Sequence, residues 1–436
     1  MTESLSKPVL AIALLCLRSH VVAQSLRIVS RSVSSNQPAF YGAISVESKG
    51  IRLLGKGQSS DNNGRSWSPN GSKQELSSGL PYGYRREPVS STCDPRTGWL
   101  LTVINALDTP GLDPKVSEPP LAQRNYYLRY RISRDGGRTW NPDEPIIQSG
   151  SFDVRHPVEG VWLGTNAVYL GDVGCVPLVT SAGNILVAAQ TTPLGPDGRL
   201  YNPTGGHTYT DVLVLMGRWR PGSGSRWPES DPIEWFAAMR LRGDPARTTR
   251  GLIEPALAEF PDHRILMVMR GSNGGKADPQ CQLPSHKWFS VSEDGGSTWS
   301  KPEPWGYDDV TPFFSPSSMS VLFRHSTGRV FWAGNLTSTN CLGDLPRWPL
   351  VIGEVDPVSL RLLRKTILIL DKPEPADSAQ GRLDISHVTM LEDRQTGEII
   401  VIYPRAHNQY RTREWVAVRA TFPRDAGSQE STRPRR

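Results

Sequence analysis

One short pattern recurs along this 436-residue chain: a polar turn, usually closed by glycine, followed at once by a run of apolar, strand-forming residues. Arg96-Thr97-Gly98 precedes Trp99-Leu100-Leu101, Ser181-Ala182-Gly183 precedes Asn184-Ile185-Leu186-Val187, and Pro261-Asp262-His263 precedes Arg264-Ile265-Leu266. Ser326-Thr327-Gly328 and Gln395-Thr396-Gly397 lead into Val330-Phe331-Trp332 and Ile399-Ile400-Val401, and Lys49-Gly50 before Ile51-Arg52-Leu53-Leu54 is the weakest copy. Glycine supplies the left-handed backbone that a tight strand-to-strand turn needs. The turns fall at 50, 98, 183, 263, 328 and 397. One such sheet cannot bury both of its faces until neighbours stack on it. Six hairpins at this interval therefore predict an all-β, six-bladed β-propeller of four-stranded antiparallel blades.

Composition fits that reading. Gly 40 and Pro 37 supply turns, and the chain is only 21% charged, without the Glu, Lys, Ala and Leu runs of long helices. The net charge of +6 is mild for the length and rests on scattered arginines. That argues against a nucleic-acid-binding stripe and suits a small anionic ligand. Residues 1–23 read as a secretory signal, with an apolar run over 9–17 and Val21-Val22-Ala23 before the cleavage point. The propeller is expected over 24–422, and the polar, Arg-tipped segment 423–436 as a disordered tail. With no other run long enough to span a bilayer, a secreted or periplasmic monomer is expected. Cys93, Cys175, Cys281 and Cys341 lack metal-ligand spacing, so no metal or cofactor is expected. Cys281 with Cys341 is the preferred disulfide in an oxidising compartment, buried free thiols being the alternative.

A second signature overlays the first. Residues 133–140 and 292–299 both read S-x-D-x-G-x-T-W, and 60–67 is a degraded third copy with Asn62 in the Asp place. The Asp carboxylate accepts N–H groups of a tight turn, Gly supplies the unusual φ, and Trp plugs between strands. The signature resembles the Asp box of sialidase-like (BNR-repeat) propellers. The resemblance implies that Asp135 and Asp294 are structural and lie on the side away from any active site.

In a propeller blade the first strand runs from the site face to the opposite face, and the second returns. Residues about ten before each turn, and seven after it, therefore meet at the mouth of the central funnel. Those before the turns are Arg86, Asp172, Glu254, Ser317 and His387; those after are Asn105, Gln190, Arg270, Asn335 and Pro404, with Arg405 beside it. Two rings of polar and charged side chains converging in a β protein predict a polar, partly cationic funnel.

Three segments extend the resemblance. Arg86-Glu87-Pro88 looks like the Arg-x-Pro that opens sialidase domains. Glu254-Pro255-Ala256, followed by the strand ending at Arg270, looks like the sialidase Glu strand, and Pro346-Arg347-Trp348 looks like the segment carrying a third arginine. The resemblance implies an arginine triad of Arg86, Arg270 and Arg347 clamping a substrate carboxylate, as planar guanidinium forks do. Asn105, Gln190 and Asn335 are expected beside it as further substrate-binding groups. It implies an exo-acting glycoside hydrolase on an anionic sugar of a glycan or glycoconjugate, with terminal sialic acid the default. A uronic-acid-directed hydrolase or lyase, or a non-catalytic carbohydrate-binding propeller, is the alternative. The chain departs from the family at the nucleophile, where Ile385 occupies the place of the Tyr. Glu254 is then expected to activate a water, with His387 a neutral-pH acid or base, Asp108 the general acid and Asp172 a further carboxylate.

Overall fold

The computed structural model describes residues 25–46, 51–70, 80–109, 122–221, 232–409 and 411–422. The leader, the tail and the Gly50 turn lie outside these residues.

Six sheets follow one another along the chain. Blade 1 spans residues 44–69, blade 2 84–145, blade 3 168–241, blade 4 253–304 and blade 5 321–371. In blade 6, Leu383–Ile385 and Thr389–Glu392 both pair with Ile399–His407, which pairs with Thr412–Thr421. The expected hairpin turns at 98, 183, 263, 328 and 397 each join an inner strand to the one beside it. The strands Ile44–Ser45 and Leu53–Gly55 pair across the sixth turn.

The second strand of most blades is buried on both faces. Ile185–Thr191, Ile265–Arg270 and Val330–Asn335 have no exposed residue, which explains why they read as unbroken apolar runs and not as alternation. The core is accordingly divided among the interfaces between blades. Leu101, Val103 and Tyr130 of blade 2 pack on Val187, Leu213 and Trp235 of blade 3, and equivalent clusters join blades 3 to 4, 4 to 5 and 5 to 6.

The ring is closed by a strand that the hairpin pattern does not predict. Arg27–Ser34 lies antiparallel to Thr412–Thr421, from Arg27 opposite Thr421 to Ser34 opposite Trp415. It carries no buried side chain, so its sequence has no apolar period by which to find it. Arg31 fastens it to blade 5 through Asp371, at 3.2 Å.

The Asp boxes join the third and fourth strands of blades 1, 2 and 4, at the same end as the inner hairpin turns. Asp294 accepts the Thr298 N–H at 2.8 Å, the Thr298 hydroxyl at 2.6 Å and the Ser292 hydroxyl at 2.9 Å, and Asp135 repeats the pattern. In the degraded copy Asn62 still accepts from Ser66 and Ser60. The second glycine of each intact box meets the preceding blade. A Cβ on Gly137 would stand 2.6 Å from Leu54, and one on Gly296 2.8 Å from Leu186, at φ +88° and +101°. The boxes are thus wedges between blades as well as turns.

The described cysteines are free thiols, which corrects the Cys281–Cys341 pairing; the Cys341 sulfur lies 3.1 Å from the Thr337 hydroxyl.

Asp294→Ala removes the acceptor of three turn hydrogen bonds and should cost about 1–3 kcal/mol of stability. The loss is to be read as a lower urea midpoint at unchanged ligand affinity.

Candidate active site

In blades 3, 4 and 6 the inner strand is split or bulged, and Asp172, Glu254 and His387 sit at those irregularities. In blade 3 the first strand is split into Val168–Tyr169 and Leu178–Val179, and Asp172 lies in the gap. In blade 6 His387 lies between Leu383–Ile385 and Thr389–Glu392. In blade 4 the register slips between Ile253 and Ala256, and Glu254 occupies the bulge. Bulges and breaks re-aim side chains out of the sheet's alternation. Glu254 (φ 48°) and His387 (φ 59°) are also left-handed non-glycine residues, a conformation that costs energy and clusters at functional sites.

These breaks bring Asp172, Glu254, Arg270, Arg347 and His387 together. Arg270 Nη1 lies 2.5 Å from Glu254 Oε1, and its Nε donates to the Ser317 hydroxyl at 2.8 Å. His387 Nε2 lies 3.3 Å from Asp172 Oδ2. Glu254 Oε2 is buried with no hydrogen-bond partner among the described residues. Gly171 makes the approach possible, because a Cβ there would stand 1.8 Å from Gln190 Oε1 and 2.7 Å from Glu254 Cγ. Arg347 comes from the loop between the second and third strands of blade 5, and its carbonyl accepts the Ile385 N–H at 3.0 Å. Behind the cluster, Lys287 is fully buried and donates to the carbonyls of Pro316 and Ser318, which flank Ser317.

The electrostatics separate the two carboxyl groups. Burial, with the Glu254 carboxylate beside it, pushes Asp172 up to about 7. Burial would raise Glu254 too, but the charges of Arg270 and Arg347 outweigh it and hold Glu254 below the usual carboxylate range. His387 is pushed down to about 4 by burial and Arg347, and burial with Arg270 lowers Lys287 to about 7. At neutral pH the site therefore contains an ionised Glu254, a neutral His387 and an Asp172 poised between its two states. Two carboxyl groups driven apart in this way are the usual basis of an acid–base pair.

Several expectations need correction. Arg86 does not join the cluster: it bonds to Asp108 and lies over the Tyr127 ring, and Tyr127 donates to Asp108 at 2.6 Å. The strand alternates, so Arg85 takes the opposite face. With Glu87, Asn105, Tyr126 and Tyr169 it lines a cavity of about 340 Å³ that includes Asp172. Asp108 is thereby tied into the Arg86 pair, on the other face from Asn105, and Asp172 is the carboxyl beside Glu254. The three amides are latches between blades, not free ligand-binding groups. Asn105 exchanges two hydrogen bonds with the Leu170 backbone, Gln190 accepts the Glu254 N–H at 2.9 Å, and Asn335 donates to the Ile385 carbonyl at 2.9 Å. Pro404 and Arg405 also leave the funnel, Arg405 pairing with Asp371 and Asp377. Ile385 is wholly buried in the core between blades 5 and 6. Tyr307 packs on Phe313 under Arg364, and the Tyr403 hydroxyl bonds to Asp371, so neither supplies the missing hydroxyl.

Sequence reasoning missed Lys287, Gly171, and the pair Asp344 and Arg382, of which Asp344 meets both Arg347 and Arg382 at 3.1 Å. Lys287 had a signal, a lone lysine opening the apolar strand Lys287–Ser292. The others lie in irregular segments where no period marks them.

The fold and the paired boxes define a sialidase-like propeller. The sequence pattern of the BNR repeat-like domain matches residues 115–365, and the chain belongs to that family. No curated protein sequence matches it. Among solved structures it is similar to a protein of unknown function from Dyadobacter fermentans, at 13% identity and TM-score 0.52, over 92% of this chain and all of that one. It is also similar to the NanB sialidase of Streptococcus pneumoniae, at 12% identity and TM-score 0.50, over 91% of this chain and 68% of that one.

Glu254→Gln should lower the apparent pKa of Asp172, because removing the neighbouring negative charge makes its ionisation easier. A carbon-13 NMR titration of the aspartate carboxyls, wild type against variant, reads the shift; an unmoved Asp172 means that the two do not share a site.

Proposed function

We propose that the protein is an exo-acting glycoside hydrolase that releases a terminal anionic sugar, sialic acid being the first choice. The observation that carries the proposal is the convergence of Glu254, Arg270 and Arg347 beside an Asp172 held near neutrality. Arg270 and Arg347 hold the sugar carboxylate, with Arg85 at the edge of the adjoining cavity in the place expected of Arg86. Protonated Asp172 gives its proton to the glycosidic oxygen as the bond to the anomeric carbon breaks. Water attacks that carbon and passes a proton to ionised Glu254. His387, neutral at working pH, lies against Asp172 and keeps its proton placed towards the leaving group. The sialidase-like fold supports the class of reaction. The sugar is inferred from the carboxylate-matching arginines. The leader read in residues 1–23 would deliver the enzyme to the glycans outside the cell.

Ile385 at the place of the nucleophilic Tyr favours one second reading, a propeller that binds the same sugar without cleaving it.

Hydrolysis of a fluorogenic sialoside separates the two. The hydrolase reading expects turnover by wild type, with kcat/KM lowered about 10- to 100-fold in Arg347→Ala and about 10²- to 10⁴-fold in Glu254→Gln. Binding that needs Arg347 but comes without turnover supports the second reading. Neither binding nor turnover removes sialic acid from consideration.

The pH dependence follows from the same assignments. Asp172 must be protonated to act as acid, so kcat/KM should fall as pH rises through about 7. Glu254 must be ionised to act as base, so the rate should also fall on the acid side. Asp172→Asn should abolish the alkaline limb, whereas Asp108→Asn should leave it in place.

A further inference from the structure

Asp344 stands where an incoming carboxylate would have to compete. Its Oδ2 accepts from Arg347 Nη2 at 3.1 Å and from Arg382 Nη2 at 3.1 Å. This is the ion pair that Arg347 makes among the described residues, and Arg347 Nε has no hydrogen-bond partner there. Arg382 does not depend on Asp344, because Asp384 Oδ1, itself buried, receives its Nε at 3.2 Å and its Nη2 at 3.1 Å. The Asp344 side chain is 41% exposed and that of Arg347 12%, so the carboxylate lies on the solvent side of the guanidinium.

The position is built. Leu342 and Leu345 exchange backbone hydrogen bonds across the turn that holds Asp344, and Gly343 takes φ +64°. Asn273 accepts the Gly343 N–H at 2.9 Å, and the Gly343 carbonyl accepts the Ser317 N–H at 2.9 Å. Ser317 is the residue that receives Arg270 Nε, so a single loop fixes both Asp344 and the partner of Arg270.

Charge balance gives the contact its meaning. Arg270, Arg347 and Arg382 are matched by Glu254, Asp344 and Asp384, so each of the three arginines already has a counter-ion. A ligand carboxylate on Arg347 would sit beside Asp344, and repulsion between like charges at such range is substantial at the dielectric of a protein surface. We propose that Asp344 is a specificity-determining residue of the site: a built-in counter-ion that competes with the ligand carboxylate for Arg347 and so sets how strongly an acidic sugar is preferred over a neutral one. This rests on the reading of Arg270 and Arg347 as a carboxylate clamp.

The test uses the full chain and Asp344→Asn, which keeps the shape and removes the charge. Binding of N-acetylneuraminate and of its uncharged methyl ester is measured by calorimetry. The acid should bind roughly tenfold more tightly to the variant, the scale of one charge contact at a partly exposed site, with the ester unchanged. Equal changes for both ligands, or weaker binding of the acid, would overturn the proposal and make Asp344 a prop for Arg347. A second measurement does not depend on the sugar. Phenylglyoxal labelling of Arg347, followed by peptide mass spectrometry, should quicken several-fold in Asp344→Asn; unchanged labelling overturns the proposal as well. If wild type binds neither acid nor ester, the clamp reading fails, while the labelling still decides whether Asp344 neutralises Arg347.

Discussion

Seven residues beyond the inner turn, four successive blades carry a polar side chain that reaches the innermost segment of the next blade. Asn105 holds Leu170, Gln190 holds Glu254, Arg270 holds Ser317 and Asn335 holds Ile385. Each contact is buried, so losing either partner would strand an unpaired polar group at a cost of about 1–3 kcal/mol. The apolar clusters between blades supply most of the adhesion, but apolar packing is non-directional. These directional bonds fix how far one blade is displaced along its neighbour, and with it where the residues at the strand breaks meet.

The candidate site is a modification of that ring. In blade 4 the latch position is an arginine instead of an amide, and the residue held by the preceding latch is a glutamate in a bulge. The same geometry that ties blades together thus places Glu254 against Arg270. Breaks at equivalent heights in blades 3 and 6 add Asp172 and His387. Burial then acts differently on each group. It raises Asp172, which has no arginine bonded to it, and is overcome at Glu254, which has one.

Repetition made the fold legible in the sequence. Six turns and two intact Asp boxes name the number of blades and the end of the molecule on which the boxes lie, and both are found. Repetition is also why counting selects Asp172, Glu254, Arg270 and His387, four residues that the structure brings together. Counting could not distinguish a side chain aimed into the funnel from one turned into the next blade, because the difference is one residue in a strand of period two. Arg86 is the case in point: it turns to Asp108, while its neighbour Arg85 lines the cavity beside Asp172. The amides were misassigned for a related reason, since a polar residue at a strand end looks the same whether it meets a ligand or a backbone carbonyl. The closing strand Arg27–Ser34 had no apolar face to betray it, and Asp344 and Arg382 become part of the site only when two blades meet.

The central claim is that a sugar carboxylate is held between Arg270 and Arg347, next to Glu254 and Asp172. A crystal structure of the protein with bound N-acetylneuraminate tests it most directly. The expected result is a carboxylate within hydrogen-bond distance of both guanidinium groups, with the anomeric carbon facing Asp172 and Glu254. A carboxylate lodged instead against Arg86, or anywhere that leaves Arg270 and Arg347 untouched, would contradict the account.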